Sequence, residues 1–237
     1  MSDQTTSFLK SHFPDLVLTP PLFYEWPFGL RFEVADWSLG EESVVLEKAG
    51  DRALKIVRYA FDPEDDILFV TDVYTQHEHE LMKQKLLVYQ KYVRRQVRKR
   101  LRHELLTYVR SELDEPLTLE RFTLTCQLQD IRLRPLLHAI CQEDFYAPNQ
   151  ILNGKLGYEI YLINLSKQMI FHLYDDRGCD LIAADTERLR PVYEGLQHWL
   201  LDYDRPQMDQ LFTEKLENRT FDKCGSVLCF YFIEELW

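Results

Sequence analysis

Three apolar runs decide the fold of this chain: GYEIYLINL (157–165), QMIFHLY (168–174) and CDLIAA (179–184). The links between the runs, at 165–167 and 175–178, have the length of hairpin turns. Runs joined in this way pair as antiparallel neighbours, so we predict a three-stranded meander. Asp185 then serves as the predicted N-cap of a helix, with the acidic Glu187 in its first turn.

The rest of the chain alternates between predicted strands and helices. Strand patterns occupy residues 29–34, 67–74, 121–127 and, near the end, 226–233. Apolar residues have helical spacing in 7–13, 41–61, 83–110, 135–143 and 206–217. This mixture indicates an α+β fold, in which helices cover a mainly antiparallel sheet. We predict one domain over 1–205, with a helix–strand appendage over 206–237 packed on it.

The turn of the meander also carries a family pattern. The pattern consists of YDDRGCDLIAAD at 174–185, WLLDYDR at 199–205 and PLFYEWPFGLRFE at 21–33. Over about residues 13–212, the chain resembles a family of bacterial domains of unknown function. The resemblance implies a bacterial origin and a compact α+β domain, and it supplies no activity. The order of meander and helix is also similar in layout to SMI1/KNR4-like immunity proteins, which bind and neutralise toxins.

Composition narrows the class of protein. The 237 residues carry 39 acidic and 28 basic side chains, a net charge of −11, which favours a cationic partner over nucleic acid. The five cysteines form no C-x-x-C pair, the start of the chain is polar, and no apolar run is long enough to span a bilayer. We therefore expect a cytoplasmic protein with reduced thiols, no membrane segment and no cofactor.

The aspartates around the second turn of the meander, at positions 175, 176, 180 and 185, allow three hypotheses. Close carboxylates can bind a hard cation or divide acid and base roles, as in a metal-dependent enzyme. Alternatively, Asp175 binds backbone N–H groups of the turn while Gly178 supplies a positive φ at its exit. In the third hypothesis, Asp176 and Arg177 face a protein partner from an exposed loop.

The segment DYDR at 202–205 is a second candidate. Together with Arg190, it could form an ion-pair network that anchors the end of the helix against the hairpin. A substrate-binding set of the same residues has no nucleophile or phosphate loop beside it, so scaffolding is favoured. The candidate partner-binding residues are Asp175, Asp176, Arg177, Asp180, Asp202, Tyr203, Asp204 and Arg205.

The predicted helix 83–110 is the most basic segment, with ten cations and one acidic residue, Glu104. Its candidate nucleic-acid contacts are Arg94, Arg95, Arg98, Lys99 and Arg102. The alternative is a helix that docks through Val93 and Val97 while its cations pair with the protein's own acidic surface. The acidic balance of the whole chain favours this alternative.

Two further pairs carry possible chemistry. His77 and His79 have the spacing of two metal ligands, but the sequence assigns no third or fourth ligand. Cys179 and His172 lie on consecutive predicted strands and could form a nucleophile–base pair, although a cysteine in a strand commonly serves as a small buried apolar residue. We predict no catalytic residue.

These observations favour a non-enzymatic protein-binding module over the two alternatives. The favoured partner is a cationic protein, and the favoured role is that of an immunity-type inhibitor of a basic toxin. The alternatives are a metal-dependent enzyme that uses Asp175, Asp176 and Asp180, and a nucleic-acid binder that uses the basic segment.

Overall fold

The predicted meander is the middle of a larger antiparallel sheet. The computed structural model describes residues 4–75, 87–108, 117–143, 145 and 158–213. Its strands are β1 (Gly29–Glu33), β2 (Asp66–Thr75), β3 (Arg102–Tyr108), β4 (Leu117–Gln127), β5 (Tyr158–Asn164), β6 (Met169–Leu173) and β7 (Gly178–Ala183). They are ordered β1-β7-β6-β5-β2-β4-β3, and every neighbouring pair is antiparallel. The meander β5–β6–β7 therefore joins the central strand β2 to the edge strand β1.

Helices surround this sheet and confirm the α+β class. They are α1 (Gln4–His12), α2 (Leu22–Glu25), α3 (Glu42–Ala60), α4 (Leu87–Tyr92), α5 (Leu133–Cys141), α6 (Thr186–Leu196) and α7 (Arg205–Thr213). Short 3₁₀ turns at Trp37–Leu39, Arg98–Arg100, Leu128–Asp130, Gln197–Trp199 and Asp202–Asp204 connect or extend them.

One face of the sheet packs against α3, α5 and α6. The hydrophobic core on this face of the sheet is called the first core. Apolar residues recur at helical spacing in α3, and Ala49, Ala53 and Val57 are fully buried in the first core. Gly50 lies where α3 meets α5, and a Cβ at this position would stand 2.6 Å from the His138 ring. The glycine therefore permits a close approach of the two helices, which outweighs its low helix propensity. Helix α7 joins the same core through Met208.

The N-terminal segment covers part of the opposite face. Phe13, Leu18 and Leu22 are buried there against strand residues that include Tyr161 and Ile170. Each large apolar side chain buried in this way stabilises the fold by roughly 1.5–3 kcal/mol relative to an exposed one. The segment between α1 and β1 is therefore an integral layer of the domain.

The predicted cap of α6 is confirmed. The Asp185 side chain accepts a hydrogen bond from the Arg188 backbone N–H at 3.1 Å, and Glu187 occupies the first turn of the helix. This bond satisfies one of the N–H groups that a helix start leaves without an intrahelical partner.

The predicted basic helix over 83–110 is wrong. Helix α4 ends at Tyr92, Val93 pairs with Ile131 as an isolated bridge, and the chain then turns into strand β3. Two backbone hydrogen bonds join the residues after α4 to the segment 130–132. The Arg94 N–H donates to the Asp130 carbonyl oxygen, and the Arg132 N–H donates to the Tyr92 carbonyl oxygen. The four-residue spacing of apolar residues fits a helix, but pairing with β4 adds a strand to the sheet, and this tertiary gain overrides local propensity.

Other boundaries shift by smaller amounts. Helix α5 begins at Leu133, two residues before its predicted start, so Pro135 lies inside the first turn, where a missing N–H removes no helical bond. Strand β4 begins at Leu117, four residues early, because it pairs with both β2 and β3. The predicted strand 226–233 and the histidines at 77 and 79 lie outside the described residues. The domain division at 205 stays a prediction.

Candidate functional site

A row of charged and polar side chains crosses the face of the sheet that the N-terminal segment partly covers. Residues that are opposite each other in adjacent strands point to the same face, so the strand register identifies the members of the row. The register pairs are Arg31 with Asp180, Asp180 with His172, Glu159 with Asp72, Asp72 with Arg121, and Arg121 with Glu104. All seven strands therefore contribute to the row.

The central ion pair of the row is buried. Arg121 donates to Asp72 through Nε at 2.7 Å and through Nη2 at 2.6 Å, a two-pronged geometry that fits a carboxylate. Asp72 is fully buried and Arg121 is 9% exposed. Burial raises the pKa of Asp72, although the Arg121 guanidinium opposes this shift. This pair therefore joins β2 to β4 rather than presenting a charge to a ligand.

His172 links the two halves of the row. Its Nε2 lies 2.7 Å from Glu159 Oε2, and its ring stacks on Tyr161 with centroids 4.7 Å apart. The His172 side chain is fully buried, whereas the Glu159 side chain is 26% exposed. Glu159 therefore connects this buried histidine to the surface.

Arg31 is the centre of the outer half of the row. Its Nη1 donates to Tyr24 Oη at 3.0 Å and to Asp204 Oδ2 at 3.3 Å, and its Nε lies 3.5 Å from Asp180 Oδ1. Tyr24 also donates to Asp204 Oδ1 at 2.9 Å. The guanidinium lies over the rings of Tyr24 and Tyr174, at 5.1 and 5.7 Å from their centroids. One side chain thus joins three segments that are distant in sequence.

Asp180 is the buried carboxylate of this cluster. It is fully buried and accepts a hydrogen bond from the Phe23 backbone N–H at 3.1 Å. Burial raises the pKa of Asp180, while the Phe23 bond, His172 and Arg31 act in the opposite direction. The ionised form of Asp180 therefore depends on its partners.

The hairpin before β7 supports the turn hypothesis for Asp175. The Asp175 side chain accepts from the Arg177 backbone N–H at 2.7 Å and pairs with the Arg177 guanidinium. The predicted positive φ at Gly178 is wrong, because this glycine has an ordinary backbone conformation. A Cβ at position 178 would stand 2.6 Å from the Phe32 carbonyl oxygen and would also meet the Tyr174 hydroxyl. Gly178 is therefore required for space.

Arg31, Asp175 and Arg177 line an open cleft of about 700 Å³. Its walls come from the segment before α2, from β1 and the residues that follow it, and from the hairpin before β7. The residues that carry its chemistry are Arg31, Glu33, Trp37, Glu159, Asp175 and Arg177. Glu33 and Trp37 are exposed, and the Arg177 side chain is 75% exposed. This volume is within the range of small-ligand pockets.

From the segment 202–205, Asp204 contacts the cleft residue Arg31. The predicted network with Arg190 is wrong, because Arg190 pairs with Glu187 within its own helix. Arg205 binds the Gln197 carbonyl and Asp209, which fixes the start of α7. Tyr203 is 85% exposed and Asp202 is exposed, while Asp176 is buried within the hairpin turn.

The favoured interpretation of Cys179 as a buried apolar residue is confirmed, and the alternative pair with His172 is wrong. Cys179 is opposite Leu173 and His172 is opposite Asp180, so the two side chains point to opposite faces of the sheet. Cys179 is buried in the first core, where burial raises its pKa well above the usual value. Within the described ranges, no group of three or more histidine, cysteine or acidic residues could hold a metal ion.

Sequence reasoning missed four members of the row, Arg31, Asp72, Arg121 and Glu159, and the first two leave a signal. Arg31 lies between Leu30 and Phe32, whose inward direction places Arg31 on the opposite face. Asp72 interrupts the apolar strand 67–74, and a charge inside a central strand requires a buried partner.

The fold and the charged cleft define a class, an α+β domain whose cleft is built on a buried arginine–carboxylate cluster. Residues 5–204 match the family described as "Domain of unknown function (DUF3885)", and the chain belongs to this family. The match covers most of the region predicted from the motifs at 13–212.

Comparison with curated proteins gives a bacterial relative. The chain is 30% identical over 212 residues to "Uncharacterized protein YnaE" of Bacillus subtilis (strain 168). The alignment covers 83% of this chain and 96% of that protein. No solved structure matches the chain. Within the described part of the chain, no helix has the length and apolar character needed to cross a membrane.

Proposed function

We propose that this domain is a non-enzymatic protein-binding module whose Arg31 cleft receives a basic side chain of a partner protein. The observation that carries the proposal is the surplus of carboxylates in and behind the cleft. Arg31 and Arg177 face five carboxylates, those of Glu33, Glu159, Asp175, Asp180 and Asp204, which leaves a formal charge of −3.

The ion pairs already present in the cleft support a cationic ligand. Arg31 is already engaged by Asp180 and Asp204, and Arg177 is engaged by Asp175. Glu33 is exposed, and it makes no ion pair with another described residue. An entering lysine or arginine would therefore meet acidic groups, while the fixed cations are already neutralised.

Trp37 adds a surface suited to the same ligand. It lines the cleft and is 52% exposed. A cation above an indole ring gains about 0.5–1 kcal/mol at an exposed site and more when the site is desolvated. Exposed tryptophan and tyrosine are also typical anchors of protein interfaces, and Tyr24 and Tyr203 are exposed nearby.

The candidate aspartates support binding over metal-dependent catalysis. Asp180 holds Arg31, and Asp175 holds Arg177 together with the turn backbone. The metal-enzyme alternative requires Asp175, Asp176 and Asp180 to be directed together at one ion, whereas Asp175 and Asp180 bind different arginines. The structural use of these carboxylates therefore favours the binding module.

The partner class that we propose is a basic toxin, which the domain would neutralise as an immunity protein. The acidic charge of the chain, −11, would accelerate the encounter with such a partner. We propose the cytoplasm as the site of action, and the free thiols of Cys126, Cys141 and Cys179 fit a reducing compartment.

The test is affinity capture of the tagged protein from the lysate of its native host after nuclease treatment. We expect mass spectrometry to identify one basic protein in stoichiometric amount with the wild type. Glu33→Lys should reduce its capture at least tenfold, because this change places a cation in the cleft. Glu42→Lys is the control, since it makes the same charge change at an exposed position of α3.

Two results would contradict the proposal. The first is capture of no protein above background by the wild type. The second is equal retention of the captured protein by Glu33→Lys and Glu42→Lys, which would show that net charge and not the cleft governs binding.

A further inference from the structure

A second charged surface lies away from the cleft, and its sign is opposite. The residues 91–102 contain seven cations, and 131–134 contain two more, while neither segment contains an acidic residue. The members of this basic patch are Lys91, Arg94, Arg95, Arg98, Lys99, Arg100, Arg102, Arg132 and Arg134. We propose that the basic patch binds the phosphate backbone of nucleic acid.

Tertiary structure assembles the patch from two distant segments. The Val93–Ile131 bridge and the bonds from Arg94 N to Asp130 O and from Arg132 N to Tyr92 O hold them side by side. Val93 and Val97 are buried, so the intervening cations are directed outward. The patch is therefore denser in charge than the predicted helix, because Arg132 and Arg134 join it from the adjacent segment.

Most cations of the patch are available for a ligand. Arg94 pairs with Asp130 at 3.5 Å, and Arg134 pairs with Asp51. Five others are exposed and form no ion pair with any residue in the described part of the chain: Arg95, Lys99, Arg100, Arg102 and Arg132. Such crowded like charges repel one another, and a bound polyanion would relieve this repulsion.

The net charge of −11 does not decide the behaviour of this surface. The patch adjoins β4 and β3, whereas Arg31 and Glu33 of the acidic cleft lie on β1, at the other edge of the sheet. Six strand spacings of about 4.8 Å place roughly 25–30 Å between these edges. This distance is about three Debye lengths at physiological salt, so the β1 carboxylate Glu33 is screened from the patch. The cleft carboxylate Glu159 on β5 is nearer, and it binds the His172 ring. The nearer acidic loop, residues 62–66, is partly neutralised by Lys167.

The composition of the patch favours nucleic acid over the other polyanions. Seven of its nine cations are arginines, whose planar fork matches phosphate. Val97 is buried and Leu101 is half-buried, so these segments offer little of the apolar surface with which a peripheral helix enters a membrane. Tyr92 is their single aromatic residue and it is buried, which indicates contacts with phosphates and not stacking on bases. We therefore expect binding without sequence preference.

The experiment measures fluorescence anisotropy of labelled 20-base-pair DNA and 20-nucleotide RNA with the full chain at 50, 100 and 200 mM NaCl. The test variant combines Arg95→Gln, Lys99→Gln and Arg100→Gln. The control variant combines Lys10→Gln, Lys48→Gln and Arg58→Gln, exposed cations elsewhere that change the net charge by the same −3. Circular dichroism and thermal melting confirm that both variants fold.

We expect the wild type to bind with a steep salt dependence, since each phosphate contact contributes a slope of about −0.7 to −0.9 in a log–log plot. The test variant should bind about tenfold more weakly at 100 mM NaCl or below, with a slope smaller by about 2–3. The control should stay within about twofold of the wild type.

Three results would overturn the assignment: no binding at 50 mM NaCl, equal losses in both variants, or binding to phosphatidylserine vesicles or polyglutamate as tight as binding to the oligonucleotides. None of these results depends on the cleft. The proposed binding of a protein partner is tested separately, by the capture experiment.

Discussion

The buried aspartates of the cleft should depend on a single guanidinium, and Arg31→Met tests this dependence. Methionine keeps much of the side-chain volume and removes the charge. Arg31 lies 3.5 Å from Asp180 and 3.3 Å from Asp204, which are 0% and 5% exposed. The variant would leave both carboxylates buried without their cation.

The burial of these side chains sets the expected loss of stability in Arg31→Met. Removal of one partner of a buried ion pair costs about 3–5 kcal/mol. Because the Arg31 side chain is itself 16% exposed, we expect the lower end, about 3 kcal/mol of unfolding free energy. For a chain of this size, each kcal/mol lowers Tm by about 2–4 °C, so the expected decrease is roughly 6–12 °C.

The effect should also depend on pH. Burial raises the pKa of Asp180 above the unfolded value of 3.8, although its partners oppose this shift. For such a group, the contribution to stability is complete below the unfolded pKa and is lost as pH rises through the folded pKa. Loss of Arg31 raises the folded pKa further, so the destabilisation by Arg31→Met should be larger at pH 7.5 than at pH 4.5.

The assay is urea unfolding at both pH values, followed by tryptophan fluorescence. The control is Arg31→Met combined with Asp180→Asn, which removes the stranded carboxylate and should recover part of the loss at pH 7.5. A loss below about 1 kcal/mol at pH 7.5, or an equal loss at the two pH values, would refute the reasoning, because it would show that the pair carries little buried charge.

Three further predictions follow from local geometry. Gly178→Ala should destabilise the domain by about 1–3 kcal/mol in urea unfolding, because its Cβ would overlap the Tyr174 hydroxyl and a backbone carbonyl oxygen; an unchanged midpoint would show that the hairpin can relax. Asp185→Ala should cost about 1 kcal/mol in the same assay through loss of the α6 cap, whereas Asp185→Asn should retain most of the stability. Burial raises the pKa of Cys126 and of Cys141 to about 12, so mass spectrometry after thiol labelling at pH 8 should find both unmodified until urea is added.

Local patterns in the sequence were sufficient for much of the fold. The apolar runs and hairpin-length links of 157–184 predicted β5, β6 and β7, and helical spacing predicted α3 and α5 to within two residues. The cap at Asp185 followed from residue type alone. These features depend on interactions between residues that are close in the chain, and such interactions are visible in a linear pattern.

The segment 93–108 shows where this reasoning fails. Its apolar residues at every fourth position match a helix, yet the chain forms a bridge, a turn and strand β3. The bridge and strand β3 are favoured over a helix because Ile131 and β4 pair with this segment. Strand propensity depends on such cross-strand neighbours, so the local sequence was not enough.

The sequence by itself determined the class of fold, the meander and the excess of acidic charge, since each of these depends on composition or on short-range periodicity. Only the tertiary structure decided which charges meet. Arg31, Asp180 and Asp204 are about 150 and 24 positions apart along the chain, and antiparallel register with the α6–α7 connection brings them together. The basic patch likewise required residues 91–102 and 131–134 to become neighbours. Sites of this kind depend on long-range pairing, and a linear pattern records the residues but not their partners.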